Sequence, residues 1–224
     1  MNDGHNKAAS KIGVFFDNRA ESYDAVHLTH IGGIDSKKQA AQYIPQKTEK
    51  LLDLGAGTGL ELEFIFDRLP DIQIDCVDLS EKMLERLEAK YTGKRVNIFK
   101  RDYLQFDYKE DYYDCVLSVM SFHHLQKVEK KKLYKLIFGT LKDGGVFLLG
   151  DYIAKDKQEE ERCLKEYRKA AKENKDEEFH FDTPTCLDTD RELLQAAGFT
   201  DISIPWRVKS NALILAYKAV SAKK

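Results

Sequence analysis

The sequence predicts an α/β protein built on a mostly parallel, doubly wound sheet. Short apolar segments alternate with amphipathic segments between residues 51 and 149, and this rhythm is typical of strand–helix–strand units with right-handed crossovers. The last two apolar segments, at 202–204 and 212–217, are close enough in sequence to pair antiparallel. We therefore expect an antiparallel C-terminal strand beside the parallel ones, and a helical cap inserted after the fifth strand.

The N-terminal region precedes this alternation. Residues 1–14 are rich in small and polar residues, so we expect a flexible tail there. A helix should follow Ser36 and stop at Pro45, because proline cannot continue a helix. We expect residues 15–46 to form lid helices within one domain that spans residues 15–224.

Five strands and the helices between them follow in order. The fourth strand is apolar on both faces, as expected for a strand at the centre of a parallel sheet. Ser80 should begin the helix after the second strand, since serine at an N-cap accepts a hydrogen bond from the first turn. The predicted strands are residues 51–54, 72–77, 96–99, 113–119 and 146–149. The predicted helices are residues 58–69, a segment after Ser80, and residues 128–141, which Gly144 and Gly145 end.

Residues 155–178 interrupt the rhythm with a dense run of charged side chains. A narrow apolar stripe at helical spacing indicates a helix, which is either a solvated surface helix or a mobile cap over the site. The segment directly follows the fifth strand, and we place the cap insertion at residues 152–185. Thr189 and Glu192 then have the spacing of a capping box for a helix that ends at Gly198.

Composition and charge disfavour several classes of protein. The chain has 224 residues, with 36 basic and 38 acidic side chains and a net charge of −2, so a nucleic-acid binder with a large basic face is disfavoured. The sequence has no run of about 18 apolar residues, so we expect no membrane span. Four cysteines without a CxxC pair, together with a polar N-terminus, predict reduced thiols and a cytoplasmic location.

The strongest motif is the run Leu51-Leu-Asp-Leu-Gly-Ala-Gly-Thr-Gly59. Glycines at alternate positions let the backbone turn sharply out of a strand and approach a ligand closely. A dinucleotide fingerprint would need its third glycine where this chain has Leu60, and a P-loop would need a lysine that the motif lacks. Asp53 would repel a pyrophosphate, but it suits a ligand that carries an ammonium group.

Residues 51–59 resemble motif I of the class I S-adenosylmethionine-dependent methyltransferases, and the likeness extends over about residues 15–218. The resemblance implies a Rossmann-like fold and S-adenosyl-L-methionine as cofactor. It also implies that Asp78 holds the two ribose hydroxyls, that Leu79 flanks the adenine, and that Asp102 binds the adenine amino group. The residues expected at the cofactor are Asp53, Gly55, Ala56, Gly57, Gly59, Asp78, Leu79, Asp102, Tyr103, Ser118 and Tyr23.

The resemblance implies methyl transfer by in-line displacement, which needs a base only when the nucleophile carries a proton. His123 and His124 follow the fourth strand at the binding edge, so either is a candidate base; alternatively, the two form a structural pair. Tyr23 is either a lid residue over the methionine end of the cofactor or an anchor of the N-terminal helix. The residues expected at the acceptor are Asp151, Tyr152, His180, Asp182 and Trp206. The sequence indicates no cluster of metal ligands, and we expect no catalytic metal.

Missing motifs narrow the acceptor. The chain lacks the Asn/Asp-Pro-Pro-Tyr signature of enzymes that methylate amide or base nitrogens, and the Pro-Cys pair of cytosine C5 enzymes. We therefore expect a small-molecule methyl acceptor and a monomer or homodimer.

Other functions stay open on the sequence alone. One is a tRNA wobble-nucleoside-modifying enzyme on the same fold, which would use a basic rim, and another is a cofactor-binding protein without catalysis. A nicotinamide oxidoreductase is disfavoured by Leu60 and Asp53. The candidate rim residues are Lys94, Arg95, Lys100, Arg101, Lys127, Lys130, Lys131 and Lys132.

Overall fold

The computed structural model describes residues 11–29, 33–174 and 179–221. A seven-stranded sheet runs through them in the order β3-β2-β1-β4-β5-β7-β6. The strands are β1 (Lys50–Leu54), β2 (Gln73–Asp78), β3 (Val96–Lys100), β4 (Tyr113–Val119), β5 (Leu141–Tyr152), β6 (Asp201–Val208) and β7 (Asn211–Tyr217). The helices are α1 (Ala20–Thr29), α2 (Gly33–Tyr43), α3 (Leu60–Arg68), α4 (Glu81–Lys90), α5 (Lys127–Thr140), α6 (Lys157–Glu173) and α7 (Leu187–Ala197).

Strands β1 to β5 are parallel, and β7 lies antiparallel between β5 and β6. The predicted doubly wound, mostly parallel sheet with an antiparallel C-terminal strand is confirmed. The strand order reverses between β1 and β4, where the chain returns from β3 to start the other half of the sheet. Ligands of such sheets bind at the carboxyl ends of the strands beside this reversal. The segments that follow β1 and β4 should therefore form the site.

Apolar side chains cover the sheet on both faces. Along β4, Cys115 and Leu117 lie in one buried cluster and Val116 lies in the other, because successive side chains of a strand point to opposite faces. Helices α2, α3 and α4 pack on the first cluster, and α5 and α7 pack on the second. The parallel strands are buried on both faces, which is why they read as continuous apolar runs in the sequence.

Strand β5 is longer than the predicted segment 146–149. Its first half is held by the C-terminal end of the chain: the amide of Gly144 donates to the carbonyl of Lys218 at 3.0 Å, and the amide of Lys218 donates to the carbonyl of Gly145 at 2.9 Å. The two glycines that were expected to end the preceding helix thus lie inside the strand. Local sequence does not reveal this extension because its partner is distant in the chain.

Helix α7 begins at Leu187, two residues before the predicted capping box. Cys186 is its N-cap residue and Thr189 is buried inside the first turn, so the capping-box prediction is wrong. A buried contact with α5 holds this end of the helix, since the hydroxyl of Tyr134 donates to Asp190 Oδ1 at 2.7 Å. Tertiary hydrogen bonding at Asp190 therefore decides where the helix starts, in place of the local motif.

The charged segment after β5 forms helix α6, the predicted helical cap. Asp156 caps it, its side chain accepting from the amide of Glu159 at 2.9 Å. Its outer face is solvated, with Arg162 and Glu166 paired one turn apart at 2.9 Å. Cys163 on the opposite face is buried. Within the described ranges, no helix combines the length and the apolar character that crossing a bilayer requires.

The N-terminal region is helical from residue 11 onward. Residues 11–17 form a helical segment, so helix begins inside the predicted tail of residues 1–14; residues 1–10 lie outside the described part of the chain. Helix α2 contains Ser36 in its first half and ends two residues before Pro45. The helix predicted in this region is therefore present, and it starts earlier than its sequence signal.

Short polar contacts fasten this N-terminal region to the loops after β1 and β2. Asp17 accepts a hydrogen bond from the hydroxyl of Ser80 at 2.6 Å, and Ser80 is the N-cap residue of α4, as predicted. On α1, Asp24 pairs with Lys90 at 2.6 Å and accepts from the hydroxyl of Thr58 at 2.5 Å. Residues 11–17 and α1 therefore lie over the carboxyl edge of the sheet, where a ligand is expected.

The end of α7 gives a test of packing at a single glycine. Gly198 has φ +119°, and a Cβ there would lie 2.8–3.0 Å from the ring of Phe138. We expect Gly198→Ala to destabilise the protein by about 1–3 kcal/mol, because the strained backbone and the overpacked ring act together. Denaturant unfolding monitored by circular dichroism measures this change.

Gly139 is the matched control for this substitution. It lies in α5, and a Cβ there would meet no described atom within 4 Å. Gly139→Ala should be neutral or stabilising by up to about 1 kcal/mol, because alanine favours the helix. Equal effects of the two substitutions would contradict the packing account.

Candidate active site

The loop after β1 turns sharply at three glycines. Gly55, Gly57 and Gly59 have φ of 79°, 53° and 70°, a region that side-chain-bearing residues rarely occupy. A Cβ at Gly55 would also lie 2.1 Å from Ser121 Oγ, so this part of the loop approaches the segment after β4 without room for a side chain. The sequence motif therefore forms the close backbone turn that it predicts.

Asp78 stands at the carboxyl end of β2, facing this loop. Its Oδ2 accepts from the amide of Gly57 and its Oδ1 from the amide of Ser80, both at 2.8 Å. Burial raises the pKa of Asp78, although these backbone amides favour the charged form. A carboxylate has about four acceptor sites, so Asp78 keeps lone pairs for the hydroxyls of a ligand.

A cavity lies beside the glycine loop, and we call it the loop cavity. Asp102 holds its own turn, with Oδ1 accepting from the amide of Leu104 at 2.8 Å and Oδ2 accepting from Gln105 Nε2 at 3.1 Å. The structure thus brings together Asp78, Leu79, Asp102 and Tyr103, which the sequence expects at the cofactor. The loop cavity is lined by Ile12, Phe16, Gly55, Asp78, Leu79, Asp102, Tyr103, Ser121, His124, Leu125, Gln126, Glu129, Tyr167, Phe179 and Phe181.

Asp53 is a fully buried carboxylate at the end of β1. Neither of its oxygens has a hydrogen-bond partner among the described residues. Burial raises its pKa well above the usual range, and the nearby charge of Glu61 adds to the effect. Lys37 does not compensate Asp53 directly, because its ammonium is paired with Glu61 at 2.8 Å. Asp53 does not line the loop cavity described above, so its contact with a ligand's ammonium group stays a prediction.

Several residues expected at the cofactor do not line the loop cavity, among them Asp53, Ala56, Gly57, Gly59 and Ser118. Ser118 is buried, and its hydroxyl donates to the carbonyl of Leu54 at 2.7 Å. That bond ties β4 to β1, and the contact of Ser118 with the cofactor stays a prediction. Ala56 is buried, with its amide 3.3 Å from the carbonyl of Val77. Gly59 packs against Leu87 and Tyr91 of the α4 region.

A second cavity adjoins the first, and we call it the histidine cavity. Residues 11–17 and α1 form its roof, and the segments after β4 and after α6 supply the histidines. The ring of Phe15 stacks on His180, with 4.3 Å between centroids. Phe16 and His124 line both cavities, so the two are neighbours. The histidine cavity is lined by Phe15, Phe16, Arg19, Ser22, Tyr23, Val26, Met120, His123, His124, His180 and Asp182.

His123 is held by Asp151 at the end of β5. The Nδ1 atom of His123 lies 2.5 Å from Asp151 Oδ1, and Asp151 is fully buried. Burial raises the pKa of Asp151, but the charge of His123 outweighs it and the net pKa is lowered. Burial likewise lowers the pKa of His123, and Asp151 reverses this, so the net pKa is raised. Asp151 thus orients His123, which contradicts its expected role as a direct acceptor contact.

His124 lies beside His123 with a different environment. Burial and the charge of His123 lower its pKa to about 4, so the imidazole is neutral near pH 7. Its Nδ1 lies 3.4 Å from Asp182 Oδ1 without the geometry of a hydrogen bond. A group with a pKa this low is a weak base. Of the two histidines predicted as a base, His123 is therefore the better oriented one.

The remaining expected residues lie at different distances from the histidine cavity. His180, Asp182 and Tyr23 line the histidine cavity. Tyr152 is half-buried, with its ring 6.2 Å from that of His123. Trp206 is brought to neither of the two cavities described above: it lies on the edge strand β6 and packs on the apolar cluster of β1 and β4. Strand β7 separates β6 from the rest of the sheet, and the acceptor contact of Trp206 stays a prediction.

Sequence reasoning missed several aromatic residues of the loop cavity. Tyr167 on α6, with Phe179 and Phe181 after it, forms one wall. The Tyr167 and Phe181 rings lie 6.0 Å apart between centroids. The alternation of Phe179 and Phe181 in an otherwise polar stretch was the only available signal, since α6 must fold back before these side chains meet the loop.

The sequence of this chain is similar to those of known proteins. Residues 51–145 match the family described as a methyltransferase domain. The chain is 24% identical over 183 residues to a carboxy-S-adenosyl-L-methionine synthase of Nautilia profundicola, covering 76% of this chain and 77% of that protein. It is 27% identical over 143 residues to a phosphoethanolamine N-methyltransferase of Plasmodium falciparum, covering 63% of this chain and 53% of that protein.

A solved structure shows the same fold. The structure of human N-acetylserotonin methyltransferase in complex with S-adenosylmethionine is similar with a TM-score of 0.63 and 16% identity. The match covers 84% of this chain and 52% of that one, so the chain spans about half the length of that protein.

Fold, glycine loop and family match converge on one class of protein. The methyltransferase domain at residues 51–145, the similar proteins and the similar solved structure support a class I S-adenosylmethionine-dependent methyltransferase with S-adenosyl-L-methionine as cofactor. The residues present fit that cofactor, because Gly55, Asp78, Asp102 and Tyr103 line one cavity and the Asp78 carboxylate keeps acceptor sites for hydroxyl groups. The nicotinamide oxidoreductase and the non-catalytic binding protein are set aside.

Asp78 gives a direct test of the loop cavity as the cofactor site. We expect Asp78→Ala to weaken S-adenosylmethionine binding by about 1.5–3 kcal/mol, the range for hydrogen bonds to a charged group. Isothermal titration calorimetry measures the change. Glu85→Ala, which removes an exposed carboxylate from α4, is the matched control and should leave the affinity unchanged. Wild-type affinity in a folded Asp78→Ala protein would contradict the ribose role.

Proposed function

We propose that this methyltransferase transfers the methyl group to a small-molecule acceptor bound in the histidine cavity. The observation that carries the proposal is the roof over that cavity. Residues 11–17 and α1 cover it, and the stacked rings of Phe15 and His180 close one side. An acceptor atom that reacts beneath this roof has to belong to a molecule small enough to fit there.

The roof is attached at both ends of the site. Asp17 and Asp24 bind it to the loops around α4 and the glycine turn. Lys11 Nζ donates to Asn174 Oδ1 at 2.9 Å, which joins the roof to the end of α6. These contacts support the assignment of residues 15–46 as a lid and residues 152–185 as a cap within one domain. A macromolecular acceptor would have to break them.

The chemistry follows from how the two cavities adjoin. When bound, the cofactor supplies a methyl group on a positively charged sulfur, and displacement leaves a neutral thioether. Holding the acceptor in line with that bond supplies much of the rate enhancement. Within this cavity, the Asp151 carboxylate favours the tautomer of His123 that carries its proton on Nδ1, so the lone pair of Nε2 lies on the side of Asp182, 3.7 Å from its Oδ1. His123 is therefore an oriented side chain on the acceptor side of the site.

Several side chains of the basic rim that tRNA binding would need are buried or paired within the protein. Lys130 is fully buried, with its ammonium 2.6 Å from Thr185 Oγ1. Lys100 is paired with Glu81 at 2.5 Å, and Lys132 donates to the carbonyl of Leu104 at 3.2 Å. Arg95 also donates to the carbonyl of Asp71 at 2.9 Å, so at least four of the eight candidate rim lysines and arginines are engaged within the protein. This favours the small-molecule acceptor over the tRNA-modifying alternative.

The names of two similar proteins agree with a small acceptor. The Plasmodium relative is named for phosphoethanolamine and the human structural neighbour for N-acetylserotonin. Each name belongs to that protein, and the two acceptors differ in chemistry. The similarity therefore supports the size of the acceptor, while the acceptor atom rests on the lining of the histidine cavity.

The proposal is tested by release of S-adenosylhomocysteine with cell extract divided by ultrafiltration. We expect turnover with the small-molecule filtrate, because the roofed cavity admits only a compact acceptor. The Asp78→Ala variant is the control for product formed without the enzyme's site. Turnover confined to the retained fraction and lost on ribonuclease treatment would support the tRNA alternative and overturn the proposal.

His124 provides a second test on the acceptor side. We expect His124→Ala to lower turnover by on the order of 100-fold, since small misplacements of reacting groups have effects of that size. The affinity for S-adenosylmethionine should fall less than in Asp78→Ala, because His124 lines the loop cavity but Asp78 and the glycine loop are untouched. Rates with the active filtrate and calorimetry with the cofactor measure the two quantities. An unaltered rate would leave His124 as a structural residue.

A further inference from the structure

We propose that His123, His124 and Asp182 form a binding site for a divalent transition-metal ion in the histidine cavity. The two histidines lie in the short turn Phe122–His124 after β4. Asp182 comes from the segment after α6, which is fixed by Thr183: its amide donates to the carbonyl of His123 at 2.6 Å. The Thr183 hydroxyl also donates to the carbonyl of Leu125 at 3.0 Å. The fold therefore builds this juxtaposition from two separate segments.

The donor atoms have the spacing of ligands around one ion. Asp182 Oδ1 lies 3.4 Å from His124 Nδ1 and 3.7 Å from His123 Nε2, and one donor atom from each residue lies within 4.8 Å of the others. These separations are long for direct hydrogen bonds. Two ligands on a tetrahedral ion with bonds of about 2.0–2.2 Å are about 3.3–3.6 Å apart. The two separations from Asp182 Oδ1 lie within or just above this range, which is compatible with one ion shared by the three side chains.

Two of the donor atoms are buried without a hydrogen bond. His124 Nδ1 and Asp182 Oδ1 have no partner among the described residues, and the His124 side chain is only 7% exposed. Leaving buried polar atoms unpaired costs free energy. The two atoms lie 3.4 Å apart, and a metal ion bound to both would satisfy them together.

The third proposed ligand, His123, is oriented by Asp151. Asp151 holds His123 through Nδ1 at 2.5 Å, which leaves Nε2 as the ligating atom. A carboxylate bound to the second nitrogen of a histidine is the usual outer partner of a metal ligand, because it fixes the ring and raises its basicity. Imidazoles with a carboxylate suit zinc and related divalent transition metals.

The site has an open position toward the acceptor. His180 Nε2 lies 3.5 Å from Asp182 Oδ1, but its ring is stacked on Phe15 and it lies outside the three-residue cluster. Metal sites with three protein ligands keep a further position for water or substrate. On the proposed function, that position takes an oxygen of the acceptor and lowers the pKa of its hydroxyl.

Metal binding is measured on untagged protein without cofactor or acceptor. Zn²⁺ is titrated by calorimetry, and Co²⁺ is followed by the visible absorption that four-coordinate Co²⁺ gives. We expect about one equivalent bound. Asp182→Asn and His124→Ala should each weaken binding by roughly 100-fold, as loss of a ligand does. Asp188→Asn removes an exposed carboxylate of α7 and should bind like the wild type.

Several results would overturn the site or its geometry. Absence of the Co²⁺ band in the wild type, or equal affinity in Asp182→Asn and the wild type, would overturn the metal site. An equal loss in His180→Ala would overturn the open position, since His180 would then be a fourth ligand. Circular dichroism of each variant separates lost ligands from lost folding. The release of S-adenosylhomocysteine with the filtrate is a separate measurement, so failure of the metal site leaves the proposed acceptor class standing.

Discussion

The site depends on how closely the backbone after β1 approaches the segment after β4. A side chain at Gly55 would collide with Ser121, so this approach is possible only for glycine. The same turn directs the amide of Gly55 to the carbonyl of Val77 and the amide of Gly57 to Asp78, both at 2.8 Å. One backbone conformation therefore joins the carboxyl ends of three strands and orients the carboxylate that faces the loop cavity.

Buried charge beside this turn is arranged around the cofactor. Lys37 and Glu61 form a closed pair at 2.8 Å, both almost fully buried. Burial lowers the pKa of Lys37, but the charge of Glu61 outweighs burial, and the net pKa is raised. Asp53 is left over from this pair, with both oxygens unsatisfied among the described residues. The Lys37–Glu61 pair neutralises two buried charges, whereas Asp53 next to it has no hydrogen-bond partner among the described residues.

The sequence predicts features that depend on neighbouring residues and misses those that depend on distant ones. Strand β4 matches its predicted bounds because a strand buried on both faces is a continuous apolar run. The glycine turn is equally local. By contrast, the contact of His123 with Asp151 joins residues 28 positions apart, and Asp182 is drawn toward the histidines by Thr183. The position of Trp206 also depends on a separate segment, because pairing with β7 fixes the place of β6 in the sheet.

Phe16 contributes to the lining of both cavities, and Asp17 next to it is bonded to Ser80. A ligand in either cavity contacts Phe16, which also lines the other cavity. Binding of the cofactor and binding of the acceptor are therefore coupled. Thermodynamic linkage makes such an influence mutual: whatever factor the nucleoside exerts on acceptor affinity, the acceptor exerts on the nucleoside. The demethylated product lacks the charge on sulfur, so its coupling to the acceptor through Phe16 and His124 differs from that of the cofactor.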